Sequence, residues 1–184
     1  MRWLRLLILA LLIPLSACAI SGQPTLDLAQ TLAPYTLDSG DVVRVGVYGD
    51  AELSGLYQVD DKGAISFPLV GPVNVRGVTT RVAAARLTSA LANGFMRNPN
   101  VAVEVSTYRP FFIQGEVTSS GQYPYVYGMS VRAAISTAGG FSDTAERTKV
   151  NIFRPRGTQV IKGVVGLDFP IQPGDTIVVV QRWI

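Results

Sequence analysis

The chain has 184 residues but no histidine, a single cysteine and only 16% charged residues. Losing histidine removes the commonest general base and the commonest zinc ligand together. One cysteine can form neither an internal disulfide nor a thiolate metal cage. Beyond the first residues there is no long apolar run, and no Lys/Arg run either. A surface that tracks a phosphate backbone is therefore unsupported, and nucleic acid is not expected as a partner. What remains is 48% hydrophobic, which argues against a disordered chain. The length suits one ordinary domain or two small ones. Mean hydropathy is +0.29, high for a soluble chain, with the excess gathered at the N-terminus.

Residues 1–14 read MRWLRLLILALLIP. Arg2 and Arg5 form a basic start, and residues 6–13 are unbroken apolar sequence. A membrane-spanning helix needs about 20 such residues, whereas this run fits the core of a secretory signal peptide. Leu15-Ser16-Ala17-Cys18 follows directly and resembles a bacterial lipobox. The resemblance implies cleavage before Cys18, acylation of its thiol by fatty chains such as palmitate, and, with Ala19 in place of a retention Asp, sorting to the outer membrane. The plainer alternative is a buried Cys after an ordinary signal peptide. Losing Arg2 and Arg5 takes Lys and Arg from 16 to 14 against 13 acids, so the mature chain is close to neutral. The expected divisions are a signal peptide over 1–17, a lipidated tether over 18–34, a first unit over 35–108 and a second over 109–184.

The first unit reads as strands, one helix and a closing strand. Val43, Val45 and Val47 alternate with Arg44 and Gly46, the period of a half-buried strand. Residues 56–59 and 64–67 flank Asp60-Asp61-Lys62-Gly63, a hairpin signal, with Pro68 ending the ladder. Gly71 and Gly77 bracket Val73 and Val75. Thr79 or Thr80 caps a helix expected over 81–95, with Ala83, Leu87, Ala90 and Leu91 on one stripe. Val101, Val103 and Val105 make the closing strand. In the second unit, 111–117 and 122–127 are β-rich, joined through Gly121. Ser130 caps a short helix over 131–138 that Gly139-Gly140 stops. Residues 149–154, 159–165 and 176–181 are further strands. The fold class is α+β. One echo is internal: Leu37 leads through Gly40-Asp41 into a strand, as Ile171 leads through Gly174-Asp175. In each, the glycine permits the turn and the aspartate accepts backbone N–H bonds, so the pair is structural, not catalytic.

No catalytic constellation and no cofactor or metal site emerges. Asp60-Asp61 reads as a solvated turn, since calcium needs many more oxygens at set spacing. Asp50 and Glu52 have no fixed separation of the kind glycoside hydrolysis requires. Gly128-Met129-Ser130-Val131-Arg132 lacks the second glycine of a nucleophile elbow, and no histidine activates Ser130.

Two motif sets carry a family resemblance. Leu37-x-x-Gly40-Asp41, then Gly63-x-Ile65-x-Phe67-Pro68-x-x-Gly71-x-Val73-x-x-x-Gly77, the helix and Pro99-x-Val101-x-Val103 resemble the polysaccharide biosynthesis/export domain. Gln114-Gly115-Glu116-Val117, Gly121-x-Tyr123, Ala138-Gly139-Gly140 and Ile152-x-Arg154 resemble the β-grasp-like SLBB (soluble-ligand-binding β-grasp) domain; Ser120 stands where the pattern often has proline. With the lipobox, this is the order of outer-membrane polysaccharide export lipoproteins. The resemblance implies a non-enzymatic, periplasm-facing subunit of a capsule or exopolysaccharide export assembly. It also implies a homo-oligomeric ring around the polysaccharide, docked on an inner-membrane co-polymerase; such a ring needs two complementary faces per subunit. Because the sequence stops at Ile184 without an amphipathic helix, a separate outer-membrane pore protein is expected. Alternatives are a monomeric periplasmic sugar-binding or adaptor lipoprotein and, least favoured, a cell-wall enzyme.

Overall fold

The structure is a computed structural model that describes residues 34–157 and 159–183. The expected signal peptide, Cys18 and all but the last residue of the tether lie outside the described residues.

The first unit is built on β1 (Val42–Val47), β2 (Asp50–Gln58), β3 (Ala64–Phe67), β4 (Gly71–Asn74), α1 (Thr80–Ala92) and β5 (Val101–Thr107). Val43, Val45 and Val47 are buried as their alternation predicts. They can be because β1 is the central strand, antiparallel to β2 on one side and β5 on the other. The helix starts at Thr79, whose side chain accepts from the Val82 amide. Ala83, Leu87 and Leu91 turn inward onto a core shared with Leu37, Ile65 and Phe67. The helix ends at Ala92, before the expected 95, with Asn93 as its cap and Gly94 at φ +98°.

The hairpin expected across Asp60-Asp61-Lys62-Gly63 does not form. Residues 56–58 belong to β2, which pairs with β1, whereas β3 pairs with β4 as a separate two-stranded ribbon. The Asp60 turn is real: its carboxylate accepts from the amides of Lys62 and Ala64, and Gly63 sits at φ +79°. It redirects the chain from one sheet to another, and the hairpin turn falls instead at residues 68–70. Pro68 lies in that turn, where its missing N–H costs nothing.

The second unit contains β6 (Phe111–Gly115), β7 (Gly121–Tyr123), α2 (Val131–Thr137), β8 (Lys149–Arg156), β9 (Gln159–Gly166) and β10 (Thr176–Val179). They form one sheet in the order β7-β6-β10-β8-β9. The unit's first and last strands, β6 and β10, lie side by side and parallel, and the other pairs are antiparallel. This is a β-grasp-like topology. Val131, Ala134 and Ile135 of α2 join Phe111, Ile113, Ile152 and Ile177 in a second core.

Three expectations shift here. The strand over 122–127 shrinks to β7, because Pro124 has no N–H to continue the ladder. Gly121 is a strand residue paired with Ile113, not a turn glycine. The strand expected over 149–154 runs on to Arg156 through Pro155, which pairs with Val160 beyond the residues of β8 that β10 contacts.

Candidate functional site

Two Gly-Asp turns meet at the junction of the units. Gly40 and Gly174 adopt φ +92° and +84°, conformations open to glycine at little cost. The aspartate after each is fully buried. Asp41 accepts from the Asp38 amide at 2.9 Å, and Asp175 from the Gln172 amide at 2.8 Å. The echo in the sequence is thus an echo in geometry, with each carboxylate closing its own turn from three residues ahead. The short connector between the units runs between them. The Arg109 amide donates to Asp41 at 3.0 Å, and the Gly174 amide donates to the Pro110 carbonyl at 2.9 Å. The Arg109 side chain packs against Gly174.

A buried carboxylate needs compensating hydrogen bonds or charge, and each has both. Arg109 Nη1 donates to the Tyr35 hydroxyl at 2.7 Å, and that hydroxyl donates to Asp41 at 2.6 Å. Burial, then the bond to Asp41, push the Tyr35 hydroxyl well above its ordinary pKa, so it remains a neutral donor. Asp175 receives a two-pronged contact from Arg154, at 2.8 Å from Nε and 2.7 Å from Nη2. Burial pushes the Asp175 carboxyl up, and Arg154 pulls against that shift. Tyr108 packs edge-on to Tyr35 on one side and Tyr125 on the other, with ring centroids at 5.0 and 5.4 Å.

The remaining motif residues serve the second unit's turns. Gly115 (φ +92°) lies against the Val179 carbonyl of β10 with no room for a Cβ. Gly139 and Gly140 end α2 at φ +82° and +91°, and Thr118 bonds the carbonyls of both. Glu116 accepts from the hydroxyls of Ser142, at 2.6 Å, and Thr144. These bonds hold the Glu116 carboxyl below its ordinary value. A carboxyl whose folded pKa is depressed stabilises above its unfolded pKa and loses that contribution as pH falls through the folded value. Acid titration of folding should therefore be shallower below about pH 4.5 in Glu116→Gln than in the parent. Identical acid limbs would contradict the clamp. Glu146 is held down in the same way by Thr148, so the difference between the two curves isolates Glu116.

In the first unit, Gly71 and Gly77 also take positive φ, +78° and +71°. Asp50 is spent on its own turn, accepting from the amides of Glu52 and Leu53. Among the described residues no group of acidic or thiol side chains is placed to hold a metal ion. Sequence reasoning missed Tyr35, Tyr108 and Arg109. The available signal was that two aspartates in matching turns, once buried, each require a cation; Arg109 and Arg154 meet that need.

The fold and its site describe an α+β protein of two units whose motif residues shape turns and a hydrogen-bonded junction. Residues 29–106 match the model of the polysaccharide biosynthesis/export protein family, and residues 110–163 match that of the SLBB domain. The chain carries a polysaccharide biosynthesis/export domain followed by an SLBB domain, and the export family to which the first domain's model belongs consists of transport proteins and not enzymes. It is 31% identical over 132 residues to the exopolysaccharide production protein ExoF of Rhizobium meliloti, covering 65% of this chain and 31% of that protein. It is 33% identical over 159 residues to the polysialic acid transport protein KpsD of Escherichia coli, covering 80% of this chain and 28% of that protein. The chain thus spans less than a third of the length of either relative.

Proposed function

We propose that the protein is a periplasm-facing lipoprotein subunit of a capsule or exopolysaccharide export assembly, forming a ring through which the polysaccharide passes. The observation that carries this reading is the order of parts: a signal-like segment, a lone Cys18 in a lipobox, then an export domain and an SLBB domain. The junction supports it, because a ring needs subunits whose two units keep a fixed relation. The connector's bonds to both Gly-Asp turns supply that fixity. An inner-membrane polysaccharide co-polymerase is the partner on the periplasmic side. Native mass spectrometry of the detergent-solubilised protein should give one discrete oligomer larger than a dimer. A monomer at all concentrations would favour a periplasmic sugar-binding or adaptor lipoprotein instead.

Anchoring has its own test. Each buried acyl CH₂ contributes about 0.8 kcal/mol, so several chains on Cys18 hold the protein to the membrane against washing. Cys18→Ser should lose metabolic labelling with palmitate and leave an uncleaved precursor or a soluble form. Undiminished labelling in that variant would refute the anchor.

A further inference from the structure

A cleft of about 410 Å³ opens where the two units meet, lined by Tyr35, Tyr108, Tyr127, Thr79, Thr80 and Glu104. The cleft is open to solvent, and its lining is aromatic with a few polar groups able to orient a ligand. Tyr35 and Tyr108 are held in place by the ring stack and by the Arg109–Tyr35–Asp41 chain of hydrogen bonds. Tyr127 is different. It comes from the second unit, is 72% exposed and belongs to neither hydrophobic core. Its ring is presented at a cleft that the rest of the fold has made rigid.

The chemistry of that surface selects its occupant. A pyranose ring has an apolar face of axial C–H groups that stacks on an aromatic ring, and an edge of hydroxyls that seek acceptors. The Glu104 carboxylate accepts only, and on the open face of β5, opposite Arg44 in the β1–β5 register, it can take sugar hydroxyls. The hydroxyls of Thr79 and Thr80 can both donate and accept. We infer that this cleft binds one pyranose unit of a carbohydrate chain, its apolar face on Tyr127 and its hydroxyls toward Glu104 and the two threonines. The inference rests on the export reading and deepens it, placing the contact with the polymer at the junction.

The test has two arms. In cells, a strain lacking the protein is complemented with the parent or with Tyr127→Ala, and surface polysaccharide is measured. In vitro, short fragments released from that cell's own surface polysaccharide are titrated into the isotopically labelled protein and followed by NMR. Shifts are expected at Tyr127, Glu104 and Thr80. Tyr127→Ala should bind about tenfold more weakly with an unchanged melting temperature, and Glu104→Gln should weaken fragment binding without disturbing the fold. If the parent restores surface polysaccharide but fragments leave the cleft unshifted, or shift it equally in Tyr127→Ala, the subsite is refuted while the export reading stands. Nuclear Overhauser contacts placing residues before Pro34 against the Tyr127 ring would also refute it, because the tether would then fill the cleft. If surface polysaccharide does not depend on the protein, the export reading fails and the subsite falls with it.

Discussion

Gly115→Ala is expected to lower the melting temperature of the second unit by about 10 °C or more, a loss of about 3 kcal/mol or greater. The left-handed backbone alone accounts for only about 1 kcal/mol, the usual cost of a Cβ there. The larger part is steric. A methyl at position 115 would occupy the space of the Val179 carbonyl oxygen, which also accepts from the Glu116 amide at 2.9 Å. That oxygen is backbone in β10, and β10 is held between β6 and β8. It cannot rotate away as a side chain would, so the parallel β6–β10 pair must open. Gly128→Ala is the control: it has a similar φ of +84° with nothing near a built Cβ, so it should show the conformational cost alone. Equal melting temperatures for the two variants would show that β10 yields to the extra methyl, contrary to the packing described.

Arg154→Met is the second large effect. Asp175 is fully buried and takes both prongs of the Arg154 guanidinium. Removing one partner of a buried pair leaves a charge without compensation, at a cost of about 3–5 kcal/mol. Arg154 also opposes the upward push of burial on the Asp175 carboxyl, so its loss lets that pKa rise further. A folded state that holds a proton the unfolded chain releases loses stability as pH rises through that window. The destabilisation measured by urea titration should accordingly be smaller at pH 4 than at pH 8. Adding Asp175→Asn removes the charge and should recover part of the loss at pH 8. A single variant as stable as the parent, or a double variant worse than the single, would refute the pairing.

The parts of this fold legible in the sequence are those that local chemistry decides. The valine alternation of β1 and β5, the Thr79 cap and the Ala83–Leu87–Leu91 stripe each follow from a repeat within one element. The turn glycines at 40, 63 and 174 were legible because only a few backbone conformations join such elements, and each takes a positive φ. Strand partners were not legible. Nothing near Gly63 says that β2 returns to β1 while β3 turns to β4, because that choice depends on which sheet offers an open edge. The extension of β8 through Pro155 was hidden for the same reason: whether a proline ends a strand depends on the neighbour it faces. The junction lay beyond local reading too. Arg109 and Asp41 are 68 residues apart, and only the folded chain shows that one connector residue bonds one Gly-Asp turn and packs against the other. At Tyr127 the sequence shows a tyrosine in a β-rich stretch, and the structure shows it outside both cores.

The central proposal is that this protein serves the export of a polysaccharide. The most direct measurement is where the polymer lies in cells that lack the protein. Surface polysaccharide should fall steeply on deletion, polymer should accumulate inside the envelope, and the parental gene should restore export. Unchanged surface polymer, or loss of surface polymer with none accumulating inside, would contradict the account.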